Sequence, residues 1–266
     1  MIKITSENDI VLYNTKRNIA TITLNRPEMA HAFNWDLMKG LYDCLIRAHE
    51  DEKVKCILLN STGDKVFSSG IDIRAASADD ATYLEKMREF GRKVTKTMLL
   101  MKEPIIAQVQ GTAIGFGMEL IMACDLRIFA KKSIDKMFFR MPEIAIGIYP
   151  QTGATILPLL AFGLSFTKKI LFTSDKFGLQ DLQNINFPTR IFPPEKLEIE
   201  TKKFMRTFSK RMESFMYLIK SSLTIMNNKL IERWYDLEDS CGELAYQKHT
   251  KKEFDEIIDN LYNQYP

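Results

Sequence analysis

The sequence predicts an α/β protein, and three observations carry that prediction. Short β-like runs alternate with amphipathic helical patterns through about residue 192; a strand-strand-helix order recurs within that stretch; and the chain after Pro193-Pro194 is helix-like, charged and rich in Met, Phe and Leu. A boundary near 195 therefore separates a mixed core, residues 1–195, from a helical C-terminal region, residues 196–266. Recurrence without an exact repeat fits a coiled solenoid of such units. At 266 residues the chain is long enough to bury a full hydrophobic core.

The elements follow in order. Ile10-Val11-Leu12-Tyr13 and Ile19-Ala20-Thr21-Ile22-Thr23-Leu24 flank the polar Asn14-Thr15-Lys16-Arg17-Asn18 and read as a hairpin. In the second run Ala20, Ile22 and Leu24 share one face and Thr21 and Thr23 the other, the period of a half-buried strand. After Pro27, Asn34 is placed to cap a helix in which Leu37, Leu41 and Leu45 recur every four residues, ending near Glu50-Asp51-Glu52-Lys53. Cys56 to Asn60 reads as a strand. Tyr83, Met87, Phe90, Val94 and Leu99 mark a long helix, Ile105 to Val109 a strand, Met118 to Ala123 a short apolar helix, and Leu126 to Ala130 a further strand.

Composition narrows the function classes. With 37 basic and 34 acidic residues, dispersed rather than gathered in a stripe, nothing points to nucleic acid. The N-terminus lacks the pattern of a secretory signal, no apolar run approaches the roughly 18 residues needed to span a bilayer, and the expected location is cytoplasmic with no membrane partner. Cys44, Cys56, Cys124 and Cys241 are too scattered for a zinc site or disulfide framework, and His31, His49 and His249 form no ligand pattern, so no metal is expected.

The chemistry concentrates in two glycine-containing turns and two carboxylates. Ser68-Ser69-Gly70-Ile71-Asp72 and Gly111-Thr112-Ala113-Ile114-Gly115-Phe116-Gly117-Met118-Glu119 can each present backbone N–H groups outward. The second leads into a helix, whose first N–H groups and partial positive charge suit a developing oxyanion. Glu119 stands among apolar residues and needs solvent, a partner or a raised pKa; Glu143 repeats the pattern, with Arg140 as the adjacent ion-pair candidate. A partnered structural glutamate is the ordinary alternative at either position.

These blocks resemble the crotonase family, also called the enoyl-CoA hydratase/isomerase superfamily, over almost the entire chain. The resemblance lies in Ala20 to Glu28 with Ala32-Phe33-Asn34, Phe67 to Ile73, Gln110 to Leu120, Cys124 to Ile128, and Met141 to Pro150, all in matching order and spacing. It implies a crotonase-type spiral of ββα units with a helical C-terminal trimerisation region, assembled as a homotrimer or homohexamer. It implies an acyl-CoA thioester as substrate and no separate cofactor. The thioester oxygen would be held by the N–H groups of Ile71 and Phe116, with Ala32, Ser69, Gly70, Asp72, Ile73, Arg74, Gly115 and Gln151 in contact with substrate or CoA. Glu119 would activate water for attack at Cβ and Glu143 would handle the Cα proton, making the chain an enoyl-CoA hydratase.

Two departures keep other readings open. Phe116 occupies a position that is usually glycine in hydratases, and Gln151 stands where most hydratases have glycine and where hydrolase relatives place a carboxylate. Isomerases of the family often lack the Glu119 carboxylate. The alternatives are therefore an enoyl-CoA isomerase, a 3-hydroxyacyl-CoA hydrolase resembling the 3-hydroxyisobutyryl-CoA branch, and an inactive scaffold or RNA-binding relative. His31, which replaces a common asparagine, is read as a surface or ligand-rim substitution. Arg74, the 75–78 loop and Lys248, Lys251 and Lys252 are candidates to meet CoA. Tyr83, Met87, Phe116 and Tyr149 are candidates for the acyl site.

Overall fold

The structure, a computed structural model, describes residues 4–5, 10–75, 82–225 and 228–247. Ten strands are described: β1 (Ile4–Thr5), β2 (Val11–Lys16), β3 (Ile19–Leu24), β4 (Cys56–Ser61), β5 (Val66–Ser68), β6 (Ile105–Val109), β7 (Thr112–Ile114), β8 (Leu126–Ala130), β9 (Phe139–Arg140) and β10 (Arg190–Phe192). With them stand α1 (Trp35–Glu50), α2 (Tyr83–Leu100), α3 (Phe116–Ala123), α4 (Ile156–Thr173), α5 (Leu179–Asn184), α6 (Pro194–Phe208), α7 (Glu213–Ile225) and α8 (Asn228–Gln247).

The repeat seen in the sequence becomes a two-sheet spiral. Each successive pair, β4-β5, β6-β7 and β8-β9, sends its first strand to a seven-stranded sheet ordered β1-β2-β3-β4-β6-β8-β10 and its second to a three-stranded sheet ordered β5-β7-β9. The strand pairs from β3 to β10 are all parallel, whereas β1-β2 and β2-β3 are antiparallel. Central strands of such a sheet must be apolar on both faces. Ile57 and Leu59 of β4 accordingly enter the main core with Leu37, Leu41, Leu45 and Leu120, while Cys56 and Leu58 meet Leu197 and Met205 of α6 on the opposite face.

Local chemistry sets the element ends. The hairpin is tighter than the polar segment suggests: β2 runs through Lys16, and Arg17 and Asn18 turn it at φ 54° and 64°. Positive φ at both central residues matches the strand twist. Asn34 caps α1 by accepting from Leu37 N–H at 3.0 Å. Leu37, Leu41 and Leu45 are all buried beneath it, each burial contributing roughly 1.5–3 kcal/mol. The short helix α3 starts at Phe116, two residues earlier in the motif than Met118, and every one of its residues is buried.

The described chain after β10 is helical. α7 is anchored by Lys220, whose buried ammonium donates to Met98 O, Glu103 O and Asp125 Oδ2 at 3.0, 3.1 and 2.8 Å. α8 places Ile231 and Tyr235 in the main core. One feature departs from the sequence reading: α4 has the length and mean hydropathy, 1.5, of a membrane span. Gly163, at φ 74° and ψ 168°, divides it into two shorter helices, neither of which reaches the roughly 20 residues a crossing needs. Residues 76–78, 248, 251 and 252 lie outside the described residues.

Candidate active site

The two glycine turns lie back to back. In the first, Ser69 N–H donates to Ala30 O, Gly70 N–H to Ser68 Oγ, and Asp72 N–H to Phe33 O, while Gly70 O accepts from Phe33 N–H. That pattern consumes every neighbour's N–H and leaves the Ile71 N–H with no intramolecular acceptor among the described residues. In the second, Gly115 N–H donates to Arg140 O and Gly115 O receives Met118 and Glu119 N–H. Phe116 N–H, at the first position of α3, likewise has no acceptor among the described residues; such first-turn donors are orphaned by helix geometry.

Gly70 brings the turns together. At φ +92° it adopts a conformation that L side chains rarely adopt, and an added Cβ would lie 2.8 Å from Ile114 O and 3.4 Å from Phe116 N. Both free donors open on a cavity of about 550 Å³. Its wall contains Ala32, Ser69, Gly70, Ile71, Asp72, Ile73, Arg74, Gly115, Phe116, Glu119, Glu143 and Gln151, so the residues singled out in the sequence converge there. The Phe116 ring turns into the core, 2% exposed, and packs edge-to-face on Phe33 with centroids 5.0 Å apart. The large side chain is thereby accommodated while the backbone N–H keeps its place.

Two carboxyl groups face this cavity. Glu119, 2% exposed, accepts a hydrogen bond from Thr152 Oγ1 at 2.6 Å. Burial, then the neighbouring Glu143, push its pKa well above the usual carboxylate range, while the Thr152 hydroxyl opposes the rise and Glu238 adds to it. Burial likewise raises Glu143 to about 7, against the opposing pull first of its own backbone N–H and then of Arg140. Glu143 Oε2 is buried without a hydrogen-bond partner among the described residues. Its Oε1 sits where a side chain on Gly115 would intrude, 3.1 Å from that Cβ position, and Gly115 has φ +49°. The charge of one carboxylate disfavours ionising the other, which adds to the rise at Glu119. The Thr152 donor favours the carboxylate form at Glu119.

Other side chains have structural work. Asp72 Oδ2 pairs with Arg26 at 2.7 Å and Oδ1 accepts from Arg74 N–H at 3.2 Å, so its carboxylate braces the first turn. Arg140 Nε donates to Ser174 O at 2.6 Å, and no ion pair joins Arg140 to Glu143 among the described residues. His31 requires a correction: it is 1% exposed rather than at the surface. Its Nδ1 accepts from Arg26 N–H at 3.1 Å and its Nε2 reaches Thr62 O at 2.9 Å, a pattern of a neutral ring, and burial lowers its pKa. Tyr149 lines the cavity, whereas Met87 is fully buried in the core. Cations absent from the sequence reading, Arg88 and Lys176, also line it. Among the described residues no cluster of potential metal ligands exists.

A preformed pair of N–H donors beside two carboxyl groups, carried on a ββα spiral, defines a protein built to stabilise negative charge on an oxygen and move protons beside it. The family model for enoyl-CoA hydratase/isomerase matches residues 14–262, and the chain belongs to that family. Among its relatives, crotonyl-CoA hydratase of Syntrophomonas wolfei is 28% identical over 244 residues, covering 91% of this chain and 92% of that protein. Trans-2-decenoyl-[acyl-carrier-protein] isomerase of Streptococcus mutans is 26% identical over 242 residues, covering 90% and 88%. The crystal structure of enoyl-CoA hydratase/isomerase from Pseudoalteromonas atlantica superposes with a TM-score of 0.81 at 21% identity, over 97% of this chain and 98% of that one. That likeness speaks to the fold, which is the crotonase fold.

Proposed function

We propose that the protein is an enoyl-CoA hydratase, adding water reversibly across the double bond of a 2-enoyl-CoA thioester. The observation that carries this reading is the presence of two carboxyl groups, the buried Glu119 and the partly buried Glu143, beside two backbone donors that have no internal acceptor among the described residues, all in one cavity. A thioester oxygen placed between Ile71 N–H and Phe116 N–H gains charge as the enolate forms, and donors fixed in advance stabilise that charge without reorganisation. Glu119 as carboxylate takes a proton from water as the hydroxyl adds at Cβ. Glu143, whose carboxyl is raised to about 7 and so keeps a substantial protonated fraction at neutral pH, delivers a proton to Cα. The pair starts and ends with one proton, its location exchanged, and dehydration runs the same steps backward.

The substrate reading extends to the rest of the cavity. Arg74 and Arg88 supply cationic groups suited to phosphate on one part of the wall. Gln151 is a neutral amide and cannot serve as an acid or nucleophile, which disfavours thioester hydrolysis. The chain needs no cofactor beyond the CoA carried by its substrate. A homotrimer or homohexamer is also proposed, supported by the exposed Phe215, Leu218, Ile219 and Leu223 along α7. A cytoplasmic setting agrees with the dispersed charge and unpaired cysteines. The test is to incubate the protein with crotonyl-CoA and, separately, with a 3-hydroxyacyl-CoA. Hydration of the first without thiol release from the second is expected; thiol release with no hydration of any enoyl-CoA overturns the reading.

A further inference from the structure

The C-terminal helix reaches back into the site of its own chain. Ile231, Tyr235 and Glu238 occupy successive positions on the inward stripe of α8, and the third is a carboxylate only 2% exposed. Glu238 Oε2 accepts from Gly153 N–H at 2.9 Å. Its Oε1 accepts from Thr155 N–H at 2.8 Å, from Ile156 N–H at 3.3 Å and from the Thr155 hydroxyl. Trp234 Nε1 adds a bond to Thr155 Oγ1 at 2.6 Å. These acceptors satisfy the donors at the start of α4, which no α4 side chain caps.

What they hold in place is Thr152. That residue is β-branched yet sits at φ +67°, a conformation that persists only where the surroundings impose it. Its carbonyl receives Thr95 Oγ1 at 2.6 Å, and Thr95 Oγ1 lies 2.8 Å from the Tyr235 hydroxyl. Its own hydroxyl donates to Glu119 Oε2 at 2.6 Å. We propose that Glu238 is a positioning residue for Glu119, acting through the 151–156 loop and the Thr152 hydroxyl. This rests on the reading of Glu119 as the group that activates water. An amide at 238 keeps one acceptor oxygen where the loop uses two, so it sets an NH₂ group against a backbone N–H and releases one side of the loop.

The groups facing Glu119 are Glu143 from the 143–146 turn, Thr152 from the loop, and Glu238 and Tyr235 from α8. The loss of the Thr152 hydrogen bond raises the Glu119 pKa, and the loss of the Glu238 charge lowers it, with the hydrogen bond the larger influence. The two roles of Glu238 therefore predict opposite signs. The experiment follows the Glu119 carboxyl by carbon-13 NMR in the full-length protein, its signal assigned by disappearance in Glu119→Gln, alongside crotonyl-CoA hydration. Thr152→Val, Glu238→Gln and the charge-retaining but shorter Glu238→Asp should each move the Glu119 midpoint upward. In the same variants kcat should fall roughly 10- to 100-fold, the scale of a misplaced catalytic group, with KM changed less than about twofold. Combining Thr152→Val with Glu238→Gln should cost no more than the worse single change, since both cut one chain of contacts.

A Glu119 midpoint that falls or stays fixed in Glu238→Gln, or losses that multiply in the double variant, overturns the proposal. If Glu238→Gln does not fold, Glu238→Asp decides by the same signs. Should the parent protein hydrate no enoyl-CoA while the Glu119 midpoint moves upward in the three variants, the hydratase reading fails and the positioning role stands.

Discussion

Replacing Glu143 by Gln should make the protein more stable at pH 8 while removing its activity. Burial lifts the Glu143 pKa from the ordinary glutamate value of 4.5 to about 7. A carboxyl raised in this way holds its proton more tightly folded than unfolded. The stability it contributes is fully present below pH 4.5 and is lost as pH climbs through about 7. At about 1.36 kcal/mol per pKa unit the loss amounts to about 3 kcal/mol by pH 8. Glutamine is neutral at every pH and leaves the partnerless Oε2 position equally unsatisfied, so the variant avoids the loss. For a chain of this size that corresponds to a Tm higher by roughly 6–12 °C at pH 8. Thermal melts of the parent and Glu143→Gln at pH 5 and pH 8 test it: the gain should be large at pH 8 and small at pH 5. A gain independent of pH, or destabilisation at pH 8, refutes the assignment of a buried, proton-holding carboxyl.

Gly70→Ala should cut the hydration rate roughly 10²- to 10³-fold, the scale of losing an oxyanion donor, because its Cβ would lie 2.8 Å from Ile114 O at φ +92°; near-parental kcat would show that the two turns are not coupled. Leu218→Glu combined with Ile219→Glu, on the face of α7 where these residues are 62% and 63% exposed, should convert a trimer or hexamer to monomer by light scattering. A parent protein that is itself monomeric contradicts the proposed assembly.

Local pattern made much of the molecule readable. Asn34 followed by Leu37, Leu41 and Leu45 announces α1 because capping and helical periodicity depend on neighbours only a few positions away. The glycine turns are readable for the same reason: their backbone demands are local, and the five family-like blocks keep them in register. The hairpin turn is narrower than the polar run suggests because Asn14, Thr15 and Lys16 are exposed on the outer strand, and exposed strand residues carry turn-like polarity. The burial of His31 is not legible locally because its partner, Thr62 O, lies on a distant segment. Thr152 and Glu238 are silent in the sequence for a related reason. Nothing near Thr152 in sequence announces φ +67°, and the donors that justify a buried Glu238 stand more than eighty residues away. A signal was nonetheless present: Glu238 continues the Ile231 and Tyr235 stripe, and a carboxylate on an apolar stripe calls for partners.

The division of labour between the two glutamates is tested most directly by crotonyl-CoA hydration in D₂O with the parent protein, Glu119→Gln and Glu143→Gln. Solvent deuterium entering Cα and oxygen entering Cβ are scored separately. The parent should form 3-hydroxyacyl-CoA carrying deuterium at Cα. Glu119→Gln should lose hydration by roughly 10²- to 10⁴-fold, the usual contribution of a general base, while a larger share of Cα exchange on the 3-hydroxyacyl-CoA survives. Glu143→Gln should lose both. Unchanged hydration in Glu119→Gln, or Cα exchange that persists undiminished in Glu143→Gln, contradicts the two-glutamate account.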